Sequence, residues 1–361
     1  MSNLSVAVRT RLSHDFTLDV ALVAPPGVTI LFGASGSGKT TVLRSVAGLL
    51  RPDAGSISVA ERVLFDATSH RDVPTRERRI GYVFQHLALF PHLTVEQNLA
   101  FGIRNDDPHA RANKIREIAA VCRIEPLLAR RPGALSGGER QRTALARSLI
   151  TAPSVLLLDE PLSALDLPAQ TQIIDDLRAW NAVHQIPVLY VTHSHREVFA
   201  LGDRVVVLER GHVIATGTPH DVLEMPEHPT LAQLAGFENV LPATVIHRKA
   251  DMGTMQCRLT GTEAELEVPL ARGATGTHVQ IAVRAGDILL ATEPPRGLSA
   301  RNILAGKLVS LTRDGATMIA AVDAGARFVV HLTPSAAQSL QLASGQRVWL
   351  VIKTYSCRSA A

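Results

Sequence analysis

Apolar runs ending in glycine or polar residues mark the strands of the first two thirds of the chain. The β-rich run at residues 28–32 predicts a buried strand, and apolar residues follow it at helical spacing from Val42 to Leu50. The runs at 154–161 and 188–194 predict two more buried strands. Continuous apolar strands interspersed with helical patterns are typical of a parallel sheet, so we expect an α/β fold.

The last third of the chain has a different, strand-rich pattern that occurs twice. ENVLPATVIHR (238–248) resembles RNILAGKLVSL (301–311), and GTHVQIAVR (276–284) resembles GQRVWLVIK (345–353). This duplication predicts an all-β region of two five-stranded barrels of the oligomer-binding (OB) type. We expect domains at 1–235 and 236–361, the second divided into repeat 1 at about 236–292, a linker at 292–298 in TEPPRGLS, and repeat 2 at about 299–361.

Composition narrows the class of protein. In 361 residues there is no run of 18 apolar residues, so we expect no membrane-spanning helix, and the first residues do not resemble a secretory signal. The three cysteines are isolated, which fits a reducing cytoplasm and no structural zinc. The net charge is +4, and the excess lies from residue 236 onward, where 13 of 37 basic but only 9 of 33 acidic residues occur. So small an excess of positive charge is compatible with attraction of an anion and equally with an ordinary solvent-exposed surface.

A glycine-rich turn directly follows the first predicted strand, in the order strand, GASGSGKT, helix. Its glycines let backbone amides curl toward phosphates, Lys39 brings a positive charge to the β- and γ-phosphates, and Thr40 offers a hydroxyl to Mg²⁺. This order predicts a nucleotide site. The residues that we expect to bind the nucleotide here are Gly33, Ala34, Ser35, Gly36, Ser37, Gly38, Lys39, Thr40 and Thr41.

Polar residues end the other predicted strands, where ligands bind to a parallel sheet. In SVLLLDEP, Asp159 is placed to hold Mg²⁺ through water and Glu160 to deprotonate an attacking water. His193 ends VLYVTHS as a surface residue or a sensor of the γ-phosphate. Gln85 ends GYVFQ, where its amide would reach Mg²⁺ or the attacking water. Taken separately, the assignments of His193 and Gln85 stay open.

In chain order, GASGSGKT, Gln85, LSGGE, LLLDEP, SALD and His193 resemble the complete motif set of an ATP-binding cassette (ABC) ATPase. The resemblance covers residues 1 to about 235. It implies an α/β P-loop NTPase fold with a RecA-like core and a helical subdomain, and ATP and Mg²⁺ as cofactors. Phe16 is the nearby candidate for stacking on adenine, although a phenylalanine is also an ordinary core residue.

The LSGGE turn is a second phosphate-reading turn without a lysine of its own. In the family that the chain resembles, this turn completes the ATP site of the opposite subunit in a head-to-tail homodimer. The resemblance therefore implies that Ser136, Gly137 and Gly138 act on ATP bound by a second copy of the chain, and that Asp166 of SALD also belongs to the nucleotide-binding residues.

The segment at 86–103 contains Pro91 and many apolar and aromatic residues. It fits a small helical subdomain with its own core. It also fits the groove that, in this family, receives a short helix from a membrane subunit. Both interpretations are compatible, and a transporter built on this chain needs separate membrane partners.

LSARNIL (298–304) resembles the Ser-Ala-Arg-Asn motif that opens the molybdate-binding Mop domains. Ser299, Arg301 and Asn302 carry donors suited to a tetrahedral oxyanion, and the repeat pattern adds Lys353. Without the resemblance, an ordinary strand start with a solvent-facing arginine explains the stretch. In the first repeat Glu238 replaces the arginine, so that repeat is expected to be structural.

Nearly the whole chain resembles ATPase subunits of molybdate importers. This implies a peripheral protein on the cytoplasmic face of the cell (inner) membrane, permease partners, an external oxyanion-binding protein, and molybdate or tungstate as cargo. Because the ATPase cycle does not need an anion site in the C-terminal domain, we also hypothesise that this domain senses cytoplasmic oxyanion. Importers of sulfate, ferric iron or polyamines, a non-transport ABC protein, and a C-terminal region that only holds a dimer together are the alternatives. Few aromatic residues follow residue 236, so nucleic acid is not expected.

Overall fold

The computed structural model describes residues 3–103, 107–163, 165–223, 231–232, 236–271 and 273–360. The chain forms two compact units, residues 1–219 and 220–361. The predicted domain boundary at 235 and Ala164 of SALD lie outside the described residues, so that boundary stays a prediction. No helix in the described ranges has both the length and the apolar character needed to cross a membrane.

The first unit is built around a sheet of eleven strands. Its strands are β1 (Leu4–Arg11), β2 (Thr17–Ala24), β3 (Gly27–Phe32), β4 (Ala54–Val59), β5 (Arg62–Asp66), β6 (Arg71–Asp72), β7 (Ile80–Val83), β8 (Val155–Asp159), β9 (Pro187–Val191), β10 (Arg204–Glu209) and β11 (His212–Gly217). Its helices are α1 (Lys39–Ala47), α2 (Val95–Ala100), α3 (Pro108–Val121), α4 (Gly137–Leu149), α5 (Leu167–His184) and α6 (His195–Leu201), with α7 (Pro219–Leu223) starting at the end of the unit.

Parallel pairing brings the ends of the predicted strands to one edge of this sheet. The strand order is β6-β5-β4-β1-β2-β11-β10-β3-β9-β8-β7. Val191, near the end of its strand, is opposite Leu31 on one side and Asp159 on the other, and Leu158 is opposite Val83. The carboxyl ends of β3, β9, β8 and β7 therefore lie side by side. All five residues of β8 and of β9 are buried, as their apolar runs predict.

A fully buried arginine fixes the far end of α1. Arg78 is 1% exposed, and its guanidinium donates to the carbonyls of Ser45 and Val46 in the last turn of the helix, at 3.0 and 2.8 Å. It also donates to Asp72 at 2.8 Å. The last carbonyls of a helix have no partner within the helix, so this cation supplies one and complements the helix dipole. Arg78 thus anchors the helix that starts at the glycine-rich turn.

In the part of the second unit from residue 236 onward that the structure describes, two five-stranded sheets and a short helix, α8, are present. Its elements are β12 (Asn239–Lys249), β13 (Thr254–Leu259), β14 (Glu265–Pro269), β15 (His278–Val283), β16 (Ile288–Ala291), β17 (Asn302–Asp314), β18 (Thr317–Asp323), β19 (Arg327–Leu332), α8 (Pro334–Ser339), β20 (Arg347–Ile352) and β21 (Cys357–Ala360). The predicted all-β region of OB-like barrels is confirmed.

The two repeats exchange their last strands. The sheet orders are β14-β13-β12-β15-β21 and β16-β20-β17-β18-β19, so each sheet takes its fifth strand from the other repeat. Buried residues of both repeats, from Leu241 to Cys357, form one hydrophobic cluster. The sequence pattern located the two copies but not this exchange, which makes the repeats a single packed unit.

Replacing Arg78 by methionine should lower the free energy of unfolding by about 3 kcal/mol, because buried carbonyls and Asp72 lose their donor. Arg9→Met is the matched control, since Arg9 is 69% exposed, and we expect a change of less than about 0.5 kcal/mol there. Urea unfolding of both variants measures the difference. Equal stabilities for the two variants would contradict the anchoring of α1 by Arg78.

Candidate functional site

A cavity of about 530 Å³ opens where β3, β8 and β9 end. It brings together residues that are far apart in the sequence. Its lining consists of Leu12, Phe16, Gly33, Ser35, Gly36, Gly38, Lys39, Thr40, Thr41, Gln85, Glu160 and His193. Leu12 was not predicted. All the others were singled out from the sequence.

The turn between β3 and α1 has a conformation that only glycine permits at two positions. Gly33 and Gly38 have φ angles of 149° and 106°. A Cβ atom on Gly33 would lie 2.2 Å from the carbonyl oxygen of Leu208, and one on Gly38 would lie 2.7 Å from the side chain of Leu18. Inside this curl the hydroxyl of Ser37 is buried and has no hydrogen-bond partner among the described residues. A buried donor at the N-terminus of a helix suits a phosphate oxygen.

Lys39 occupies the centre of the same turn. Its ammonium donates to the carbonyls of Gly33 and Ala34, both at 2.8 Å. Burial lowers the pKa of Lys39, while the nearby carboxylates Glu160 and Asp159 raise it. The positive charge is therefore held against the turn, facing the cavity that the glycines open.

Oxygen atoms suited to a magnesium ion meet at the end of β8. The hydroxyl of Thr40 donates to Asp159 at 3.1 Å, and the hydroxyl of Tyr82 donates to the other carboxylate oxygen at 3.3 Å. Burial raises the pKa of Asp159 above its ordinary value, and these two hydrogen bonds oppose that rise. The hydroxyl of Thr40 and the carboxylate of Asp159 are oxygen donors of the kind that Mg²⁺ prefers, and Gln85, which lines the same cavity as Thr40, would add another.

Tyr82 is a site residue that the sequence analysis missed. It lies in β7, and burial together with Asp159 raises the pKa of its hydroxyl well above the usual value. The available signal was the adjacency of two strands: β7 pairs in parallel with β8, and Tyr82 is opposite Leu157, two residues before Asp159. The register of that pair is not readable from the sequence alone.

Glu160 lies between Gln85 and His193. The amide nitrogen of Gln85 is 3.4 Å from one of its carboxylate oxygens, and Nδ1 of His193 is 3.5 Å from the other. The backbone of Glu160 has a φ angle of 46°, which is uncommon for a residue other than glycine, and its N–H donates to Val191 in the neighbouring strand at 3.0 Å. Strained backbone of this kind is concentrated at functional sites. The arrangement presents a carboxylate, an amide and an imidazole to one side of the cavity.

Phe16 is partly buried and lines the cavity close to Gly38. Together with Leu12 it gives the lining apolar surface suited to a planar base. Its stacking on adenine stays a prediction.

The second phosphate-reading turn is absent from the lining of this cavity. Ser136 caps α4 through a reciprocal pair of hydrogen bonds with Glu139, and Asp166 caps α5 by accepting from Ala169. Gly137 and Gly138 lie near Leu165, beside the start of α5. This chain thus carries the loop with Lys39 and the turn with Ser136 as separate surfaces, as the expected completion by a second copy requires.

The four residues predicted to bind an oxyanion differ in their exposure and in whether their donors are already engaged. Ser299, Arg301 and Lys353 are exposed. Asn302 is 3% exposed, and its amide oxygen and nitrogen bond to the backbone N–H and carbonyl of Glu267, in β14 of the other repeat, at 2.6 and 2.9 Å. Its amide is thus engaged within the protein, which argues against the predicted donation from this side chain to an oxyanion.

The first repeat contains the same pair of hydrogen bonds from an asparagine amide to the backbone of the other repeat, which the sequence analysis did not predict. The amide of Asn239 accepts from the backbone N–H of Val329 at 2.6 Å and donates to its carbonyl at 2.9 Å. Glu238 accepts from the backbone N–H of Ala285 at 2.7 Å. The asparagine of the repeated motif therefore joins the two repeats.

Comparison with known proteins places these features in a family. The ABC transporter family profile matches residues 19–163, and the TOBE domain profile matches residues 298–358. A protein of Paramagnetospirillum magneticum is 39% identical over 95% of this chain and 94% of its own length. One of Rhizobium etli is 39% identical over 97% and 98%, and one of Vibrio vulnificus is 33% identical over 99% and 97%. Each of these relatives is named molybdenum import ATP-binding protein ModC.

Replacing Glu160 by glutamine should lower the rate of ATP hydrolysis by at least about a hundredfold, because the amide keeps the shape of the side chain but cannot accept a proton. ATP affinity should change by less than about threefold, since the phosphate-binding turn is untouched. Glu117→Gln is the matched control, because that glutamate is exposed on α3 and is not part of the cavity. Hydrolysis and binding of labelled ATP are measured separately. A Glu160→Gln protein that hydrolyses ATP at the control rate would remove Glu160 from the catalytic step.

Proposed function

The chain belongs to the family of molybdenum import ATP-binding proteins, and from this premise we propose that it hydrolyses ATP to drive the uptake of molybdate or tungstate by an ABC importer. The observation that carries the proposal is the convergence of Lys39, Gln85, Glu160 and His193 on one cavity of a size suited to a nucleotide. These side chains come from four separate strand ends, which is the arrangement expected at a parallel sheet.

The geometry supports a division of labour for hydrolysis. The turn amides and Lys39 hold the phosphates, so that the terminal phosphate lies toward Glu160. Glu160 accepts a proton from water, while Gln85 and His193, at 3.4 and 3.5 Å from its two oxygens, orient the carboxylate. Mg²⁺ held by Thr40, Asp159 and Gln85 would neutralise charge on the phosphates.

A head-to-tail homodimer would complete each site. The phosphate-binding turn of one copy faces ATP from one side, and Ser136, Gly137 and Gly138 of the other copy close it from the opposite side. The separation of these two surfaces on one chain supports this arrangement. Enclosing the nucleotide between two copies excludes water and surrounds the reacting phosphate with donors.

The importer would place this chain on the cytoplasmic face of the cell membrane, bound to permease subunits that receive the anion from an external binding protein. The segment after Gln85 offers a surface for the permease. Phe101, at the end of α2, is 70% exposed, although its ring also contacts that of Phe90. An exposed aromatic residue beside an irregular loop suits a docking contact.

The C-terminal unit would bind cytoplasmic oxyanion and slow uptake when supply is sufficient. Ser299, Arg301 and Lys353 supply exposed donors and positive charge, and the buried amide of Asn302 fixes the start of β17, directly after Arg301. ATP hydrolysis by the assembled transporter that ignored added molybdate and tungstate at every concentration would refute this role.

Cells that lack this chain should lose uptake of trace molybdate, and the wild-type chain should restore it. The Glu160→Gln chain should not restore uptake, because the importer would bind ATP without using it. Cellular molybdenum, measured by elemental analysis, is the readout, and sulfate, iron and polyamine uptake are measured in parallel. A defect in one of these three, with molybdenum unchanged, would assign the importer to that other cargo.

The shared site predicts complementation between two inactive chains. Lys39→Ala and Ser136→Arg should each abolish ATP hydrolysis in a pure protein, whereas mixing them should restore about a quarter of the wild-type rate, because half of the dimers are mixed and each has one intact site. A chain carrying both substitutions is the control and stays inactive. A mixture with no more activity than its components would contradict completion of the site by the second copy.

A further inference from the structure

Two consecutive residues shortly after Gln85 have left-handed backbone. The φ angles of Leu87 and Ala88 are 58° and 47°, a conformation that residues other than glycine rarely adopt once and very rarely twice in succession. Their N–H groups bond locally, to the carbonyls of Phe84 and His86 at 2.8 and 2.6 Å. Local bonds of this kind do not by themselves favour so unusual a turn, so contacts from elsewhere must hold it.

A single guanidinium supplies those contacts. Arg147 donates to the carbonyl of Leu87 at 3.1 Å and to that of Ala88 at 2.9 Å. The same group lies 5.1 Å from the centre of the Phe90 ring and 3.5 Å from the amide oxygen of Asn98. It therefore contacts both left-handed residues and the aromatic side chain that follows them.

Asn98 extends this contact to the rest of the segment. Its side chain is fully buried, accepts from the N–H of Phe90 at 2.9 Å, and donates to the carbonyls of Phe90, Leu93 and Thr94 at 3.1, 3.3 and 2.9 Å. Buried amides with several partners specify one conformation strongly, because each lost bond leaves a buried group unsatisfied. Arg147 and Asn98 together thus determine the path of residues 87–94.

Arg147 is on the same helix as the second phosphate-reading turn. It lies in the last turn of α4, and Ser136 and Gly137 begin that helix. Burial lowers the pKa of Arg147, whose guanidinium contacts backbone carbonyls, an amide and an aromatic ring. One rigid helix therefore joins the surface expected to meet ATP of the second copy to the segment that follows Gln85.

We propose that Arg147 is a positioning residue that locks the left-handed turn at Leu87 and Ala88 and carries the position of α4 to that segment. When ATP fixes the start of α4, the guanidinium holds the segment at the other end in one conformation, and with it the surface that a permease contacts. This inference rests on the proposed function, in which a second copy meets ATP through α4.

The test uses hydrogen exchange of backbone amides in the full-length chain, with and without a non-hydrolysable ATP analogue. In the wild type, nucleotide should slow exchange in peptides covering residues 86–91 and in those covering 33–41. Arg147→Met should speed exchange at 86–91 by about tenfold without nucleotide and remove the nucleotide effect there, while protection at 33–41 persists. Arg116→Met is the matched control, because Arg116 is exposed on α3, and it should behave as the wild type.

Arg147→Lys serves as a second variant that retains charge but cannot donate from a planar fork to both carbonyls. It should show an intermediate nucleotide effect, and it replaces Arg147→Met if that variant does not fold. A merely structural arginine would change exchange at 86–91 but leave its response to nucleotide intact, and that result would overturn the proposal. If nucleotide does not slow exchange at 33–41 in the wild type, that result would instead contradict the proposed ATP site.

Discussion

In the larger sheet, backbone hydrogen bonds hold β3, β9, β8 and β7 in parallel, with Leu31, Val191, Asp159 and Val83 close to one edge. Every polar group of the nucleotide site depends on this register. These strands are mostly apolar, and Gln85, Glu160 and His193 follow within two residues of the ends of β7, β8 and β9, so their side chains emerge at that edge. A shift of one residue in any pair would turn the side chains that follow to the other face of the sheet. The buried strands therefore form the core and also determine where the polar side chains of the nucleotide site lie.

The sequence predicted this site well because its signals are local. A glycine turn with Lys39 and Thr40 contains its own geometry, and Asp159 and Glu160 directly follow an apolar run that predicts a buried strand. Tyr82 escaped prediction because its role depends on which strand pairs with β8 and in what register. Arg147 escaped prediction for a similar reason, since its contacts with Leu87 and Ala88 span about 60 residues and have no pattern of their own.

The C-terminal unit shows a different limit of sequence reasoning. The duplicated sequence pattern predicted the positions of both repeats, and the strands start and end near the expected residues. The exchange of β16 and β21 between the sheets could not be read from it, because a strand's own pattern specifies a buried face and not the partner that covers it. The repeated asparagines Asn239 and Asn302 have the same structural role in the two repeats. Each bonds to the backbone of a strand in the opposite repeat, so that both copies need the same amide.

That reciprocity bears on the arginine beside the second asparagine. If the motif were conserved between the repeats only for joining them, the residue before each asparagine would be free to differ, and it does: Glu238 precedes Asn239 and Arg301 precedes Asn302. Glu238 is engaged by the backbone N–H of Ala285, whereas Arg301 is exposed. The asparagines thus explain why the two repeats share this motif. The opposite charges of Glu238 and Arg301 are where the motif differs between them. The oxyanion site that we propose therefore depends on Arg301, the residue that the repeats do not share.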